Sequence, residues 1–167
     1  MSSMRKTIAQ GIVAFLQGVI DPATTLPLYQ ETKLGHMFDP TPYSAWAEVT
    51  FLKGKSGPAG AGGYTIGWRI EDKPIYKITS GWRYDTDSTA ASLAMLDAMD
   101  ILLPTLHSHF TIPSPSNPSQ AIASVYSLLE DGEDHAVPVK FPNGYTYLLW
   151  ETFVTAKQQY SVTLVTP

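Results

Sequence analysis

Two periods of hydrophobic positions alternate along the chain. Near the N-terminus Ile8, Ile12, Phe15, Leu16 and Val19 recur at helical spacing. They mark a helix starting near Ser3, whose hydroxyl can cap exposed amides, and stopping before Asp21-Pro22. Residues 21–43 carry four prolines and little periodicity, so they read as an irregular arm in which Leu26, Leu28, Tyr29, Met37 and Phe38 seek burial. "SAWAEVTFLKG" then sets Trp46, Glu48 and Thr50 against Ala47, Val49 and Phe51, the two-residue period of a strand. The glycine-rich "KSGPAGAGG" reads as a flexible hairpin connection spanning 53–63, mobile until something docks on it. "YTIGWRI" and "PIYKITSGWRYD" predict two further strands that turn at Glu71 to Pro74. Ser88 to about His107 is helical, with Leu93, Leu96, Met99, Leu103 and Leu106 at three- and four-residue steps. "SQAIASVYSLLEDGED" predicts a shorter helix ending at Gly132. "HAVPVKF", a turn at Pro142 to Gly144 and "YTYLLWETFVTAKQQYSVTLVTP" predict a closing hairpin, with a possible last strand after it.

This order places the chain in the α+β class, with an antiparallel sheet carrying helices on one face, an N-terminal helix and one long central helix. A length of 167 residues fits a single domain, 1–167.

Composition narrows the functional classes. Charged residues make up 16% against a usual quarter, while four Trp and nine Tyr are present, which suggests surface buried against partner subunits. A net charge of −4 with no run of Lys and Arg argues against a nucleic-acid footprint. The absence of cysteine excludes disulfides, zinc ribbons and thiol catalysis. The N-terminal apolar run is broken by Gln10, Gly11, Gln17 and Gly18 and reads as an amphipathic helix rather than a signal peptide. No unbroken apolar run approaches the roughly 18 residues of a membrane span.

Candidate chemistry is thin. Asp85 and Asp87 form D-x-D and are followed by Asp97 and Asp100, but Asp87 stands where a helix N-terminus needs an acceptor. Those four carboxylates therefore read as a cap and surface charges. "GKS" at Gly54 to Ser56 lacks the upstream glycine of a phosphate loop, since Val49 holds that place, and G-x-G-x-x-G fails at Thr65. His107 and His109, with Asp134 and His135, could supply metal ligands, although a helix C-terminus favours histidine without any metal. No G-x-S-x-G elbow marks a nucleophilic serine. No catalytic, cofactor-binding or metal-binding residue is assigned, and the chain does not read as an enzyme. Ten aromatics on the expected strands, Trp68 and Trp82 among them, fit core or subunit packing better than a sugar-binding platform.

The order of segments, from the N-terminal helix through the glycine-rich hairpin to "PIYKITSGWRYD", "STAASLAMLDAMDILLPTLHSHF" and "GYTYLLWETFVTA", resembles the tail terminator, or tail-to-head joining, proteins of long-tailed bacteriophages. The proline-rich arm and "IPSPSNPSQ" depart from that pattern. The resemblance implies a structural virion protein at the head–tail junction, assembled in the host cytoplasm. It implies a homo-oligomeric ring, expected to be a hexamer, that sits on the last tail-tube ring, ends tube polymerisation and meets the head-completion or connector protein. No cofactor and no membrane are implied. Interface expectations fall on the hairpin and the strand it feeds, at Lys53, Lys55, Tyr64 and Trp68. The alternatives are a carbohydrate- or ligand-binding module using strand tryptophans and a small metal-dependent hydrolase built on His107 and His109.

Overall fold

The computed structural model describes residues 4–36, 39–58, 68–108, 110–114, 117–127, 135–142 and 144–162. At 56–58, 68–71, 126–127, 135 and 158–162 it describes the backbone and not the side chains. The chain is α+β, with two helices and a seven-stranded mixed sheet among the described residues. The elements are α1 (Met4–Gln17), β1 (Glu31–Leu34), β2 (Ala45–Pro58), β3 (Trp68–Tyr84), α2 (Thr89–Ser108), β4 (Phe110–Pro113), β5 (Ala121–Ser127), β6 (His135–Lys140) and β7 (Thr146–Val162). Strand order is β1-β2-β3-β7-β5-β4, and β6 also pairs with β7. One side of β7 is thus shared: β6 takes Thr146 to Glu151 and β5 takes Val154 to Lys157.

Four expectations are corrected. The sheet is not wholly antiparallel, because β1 within the 21–43 arm lies parallel to β2, with Glu31 opposite Trp46 and Leu34 opposite Val49. Parallel pairing requires the chain to travel back between β1 and β2, and the described residues of that return, 35–36 and 39–44, hold no helix. The expected turn at Glu71 to Pro74 is continuous strand. Pro74 has no N–H to give, the β3–β7 pairing lapses between Asp72 and Ile75, and the Thr155 hydroxyl donates to the Pro74 carbonyl at 3.2 Å instead. The segment expected to form a second short helix holds β5, since Ala123 and Val125 alternate into the core beside Val154 and Ala156 of β7. Finally, Lys53 to Pro58 of the expected loop belong to β2, while 59–63 lie outside the described residues.

The main core explains the rest. Ile8, Ile12 and Leu16 of α1 and Ala91, Met95, Ala98, Leu102 and Leu106 of α2 enter one cluster with Ala47 and Val49, Tyr76, Ile78 and Trp82, and Trp150 and Val154. These strand residues fall on alternate positions, the pleat period that sends every second side chain to one face. α1 buries the stripe its spacing marks, whereas α2 is a helix as expected but turns Ala91, Met95, Ala98, Leu102 and Leu106 inward and leaves Leu93 and Leu96 outside. The β6–β7 hairpin turns where Gly144, at φ +90°, donates its N–H to Phe141 O at 3.0 Å. On the opposite face a small cluster joins Trp46 and Tyr147 with Tyr43, Phe141 and Leu149. Gly81 is required there: a Cβ would stand 2.6 Å from the Trp46 ring, which lies against the bare backbone. α2 is also long and apolar enough to cross a membrane by length and composition, at hydropathy 1.3. Asp97 and Asp100 interrupt its apolar run.

Candidate functional site: the β2–β3–β7 ribbon and the outer stripe of α2

β2 changes character at one point. Trp46, Ala47, Glu48 and Val49 are buried, whereas Phe51 to Lys55 are all exposed. The register shift between Phe51 and Lys53 marks a bulge at the boundary, which re-aims the side chains beyond it. β2 still pairs with β3 as far as Pro58, and β3 with β7 as far as Val162, so the three strands continue as a ribbon past the core. At about 3.4 Å per residue, the 17-residue β3 is about 55 Å long.

The N-terminus of α1 holds the base of this ribbon. Arg5 donates from Nε and Nη2 to the two carboxylate oxygens of Asp72, at 2.9 and 2.7 Å, and its guanidinium lies 5.5 Å from the Phe51 ring centre. The Tyr76 hydroxyl donates to the Arg5 carbonyl at 2.8 Å. Asp72 is buried, so the two-pronged, charge-assisted pairing compensates its lost hydration.

The other face of the ribbon carries lysines. Lys55 lies directly opposite Lys73, and Lys157 stands level with Lys73, between the pairs Asp72–Gln158 and Ile75–Thr155. All three are exposed and lie on the face opposite Asp72, Pro74 and Ala156. Lys53, opposite Ile75, and Lys77 extend the group along the same face. Lys77 donates to Glu151 at 2.7 Å. Further along, Glu48 and Glu151 flank Thr79 in one cross-strand row. His36 Nδ1 meets Glu48 at 3.2 Å, so both carboxylates already face a basic group.

α2 presents a second exposed feature. Leu93 and Leu96 are 58% and 51% exposed and are followed by Asp97, Asp100, Pro104 and His107 on one outward stripe, opposite the stripe that enters the core. Asp87 accepts from the Thr89 hydroxyl at 2.6 Å and the Thr89 N–H at 2.8 Å, and these bonds, the hydroxyl's first, hold its carboxyl below the usual range. Asp87 therefore works at the helix entrance, while Asp97 and Asp100 belong to the surface.

Of the four expected interface residues, Lys53 and Lys55 lie exposed on the ribbon. Trp68 opens β3 opposite Val162, with its side chain outside the description, and Tyr64 lies outside the described residues. Of the tryptophans a sugar platform would use, Trp46, Trp82 and Trp150 are buried, at 2%, 4% and 0% exposed, and the Trp68 side chain lies outside the description. His107 is exposed at the end of α2, and His109 and Asp134 lie outside the described residues, as does the His135 side chain. Among the described residues no group of three metal-ligating side chains converges. Sequence reasoning missed Lys73 and Lys157, which only the register brings beside Lys55. No family model and no curated protein matches this chain.

Proposed function

We propose that this chain is a tail terminator subunit of a long-tailed bacteriophage. Six copies would form a ring at the head-proximal end of the tail tube, stop its polymerisation and join it to a head-completion or connector protein. In this reading both helices pack on one face of the sheet, and the other face and the projecting ribbon serve neighbouring subunits. What supports the reading is the ribbon itself: β2 stays paired with β3 on both sides of the bulge at Leu52, while Phe51 to Lys55 lie exposed on their own subunit. A strand built that way has a use outside the subunit, and a head-to-tail ring needs such projecting surface from each copy.

The test is native mass, by mass photometry, with negative-stain images of the same sample. Six copies of 18.3 kDa give about 110 kDa, and sixfold rings at that mass support the reading. A protein that stays monomeric both alone and when mixed with purified tail tubes sinks it.

A further inference from the structure

We infer that Pro138 closes the outer edge of β6 to a second copy of this chain, so that subunits cannot join sheet to sheet along that strand. Three strands have a single partner strand among the described residues: β1 on β2, β4 on β5 and β6 on β7. Such an edge offers a row of unpaired N–H and C=O groups to any extended chain, and a short or charged strand offers it less well. β1 and β4 are four residues each, and β1 carries Glu31 and Lys33. β6 is longer, at six residues, and reads Ala-Val-Pro-Val between His135 and Lys140. Without its proline, this uncharged, β-branched run would be the most adhesive of the three edges.

The ladder fixes which way Pro138 turns. The Phe141 N–H donates to Tyr145 O at 2.9 Å, in step with the register that sets Lys140 opposite Thr146 and His135 opposite Glu151. Bonded and non-bonded pairs alternate along an antiparallel ladder, so Val139–Tyr147, Val137–Leu149 and His135–Glu151 are the bonded ones. The far side of the sheet agrees. The Arg83 N–H donates to Ser44 O at 2.9 Å, so Arg83 and Gly81 turn toward β2, and Trp82 and Ser80 toward β7. Leu148 and Trp150 answer them, which leaves Tyr147 and Leu149 for β6. Ala136, Pro138 and Lys140 therefore turn their backbone outward. Pro138 has no N–H to give at the middle of that row, and its ring stands where an incoming carbonyl would dock. The β6–β7 ladder loses no bond to it.

Burial gives Pro138 no task inside its own subunit. Across the ladder Tyr147, Leu148 and Trp150 are buried, whereas Ala136, Val137, Pro138 and Lys140 are exposed and Val139 is half-buried. Among the described residues no side chain of β6 enters either apolar cluster. The boundary of the core thus runs between the two strands. The chain fitted to the outer edge is β6 of a second copy, run antiparallel about a two-fold axis, because that pairing sets the same surface against itself. Val137, 44% exposed, and Val139 would then meet their counterparts on one face.

Amide hydrogen exchange on the full-length protein tests the geometry. Val137 and Val139 should be protected, and Ala136 and Lys140 should exchange freely. Protection of Ala136 and Lys140 in dilute wild-type protein overturns the inference, since the outer edge would already be covered. Pro138→Val supplies the missing N–H. It should raise the self-association constant above wild type by at least about tenfold in analytical ultracentrifugation, and concentrated samples should then protect Lys140. Adding Ala136→Pro to that variant returns a proline to the outward row and should bring association and Lys140 exchange back to wild type. Thermal melts check that both variants fold. Unchanged association of a folded Pro138→Val protein overturns the inference. So does a fall in its melting temperature without added mass, which would give the proline a role within its own subunit instead.

Discussion

The two halves of β2 answer to different physics. From Ala45 to Thr50 the strand is fixed by what it buries: Ala47 and Val49 enter the main core, and Trp46 lies flat on Gly81 under Tyr147 and Phe141. From Phe51 to Lys55 every side chain is exposed, and the strand is held by its ladder to β3 and by Arg5, which spans Phe51 and Asp72. Burial specifies the inner half, so its residues tolerate little change. The outer half buries little of its side-chain surface, so the core constrains its sequence less.

The inner half should break hardest. Trp46→Ala removes a side chain that is 2% exposed and leaves a cavity over Gly81, which should cost about 3–5 kcal/mol in denaturant unfolding. Phe51→Ala serves as the outer control and should cost well under 1 kcal/mol, since Phe51 is 49% exposed. Equal losses at the two positions would erase the distinction between the halves.

How much of this the sequence discloses follows the same division. Elements that bury a periodic face were legible: α1 through Ile8, Ile12 and Leu16, and inner β2 through Ala47 and Val49. α2 was legible as a helix but not in its buried face, because leucines line both sides of it and the core takes Ala91, Met95, Ala98, Leu102 and Leu106 while Leu93 and Leu96 stay outside. β5 was not, because "AIASVYSLL" holds good helix formers at helical spacing, and only pairing with β7 makes it a strand. β1, "ETKL", has no apolar run, and its parallel partner is chosen by the arm's path rather than by its residues. The site divides likewise. Lys53 and Lys55 stand out beside the glycine-rich segment, but Lys73 and Lys157 gain meaning only from a register between strands distant in sequence.

A smaller effect tests the boundary between the halves from the alkaline side. Burial raises the Tyr29 phenol well above its ordinary 10, against the opposing hydrogen bond to Ser80. Tyr76, opposite Phe51, is raised by burial too, with the nearby Arg5 charge opposing. Above about pH 10 the unfolded chain releases these protons while the folded chain keeps them, so the unfolded state binds fewer. Stability should therefore be unaffected by these groups below about pH 10 and fall above it, by about 1.4 kcal/mol per pH unit for each tyrosine. Urea midpoints measured on either side of pH 10 check this, and Tyr76→Phe should shallow the fall. A profile that stays flat through the alkaline range would mean that these phenols are not sealed as the structure places them.

The smallest effect sharpens the comparison most. Lys55→Glu replaces a like-charge pair with Lys73 by an opposite one on an exposed, directly registered position. The subunit should gain about 0.2–1 kcal/mol at low salt. That gain should shrink in 1 M salt, where the screening length falls to about 3 Å. Urea unfolding of subunits diluted below their association range, at both salt concentrations, measures it. A residue whose replacement stabilises its own subunit while weakening association is retained for the assembly rather than for the fold. Loss of stability on Lys55→Glu would show instead that the row is balanced within the subunit, and the outer half of β2 would then be specified from inside like the inner half.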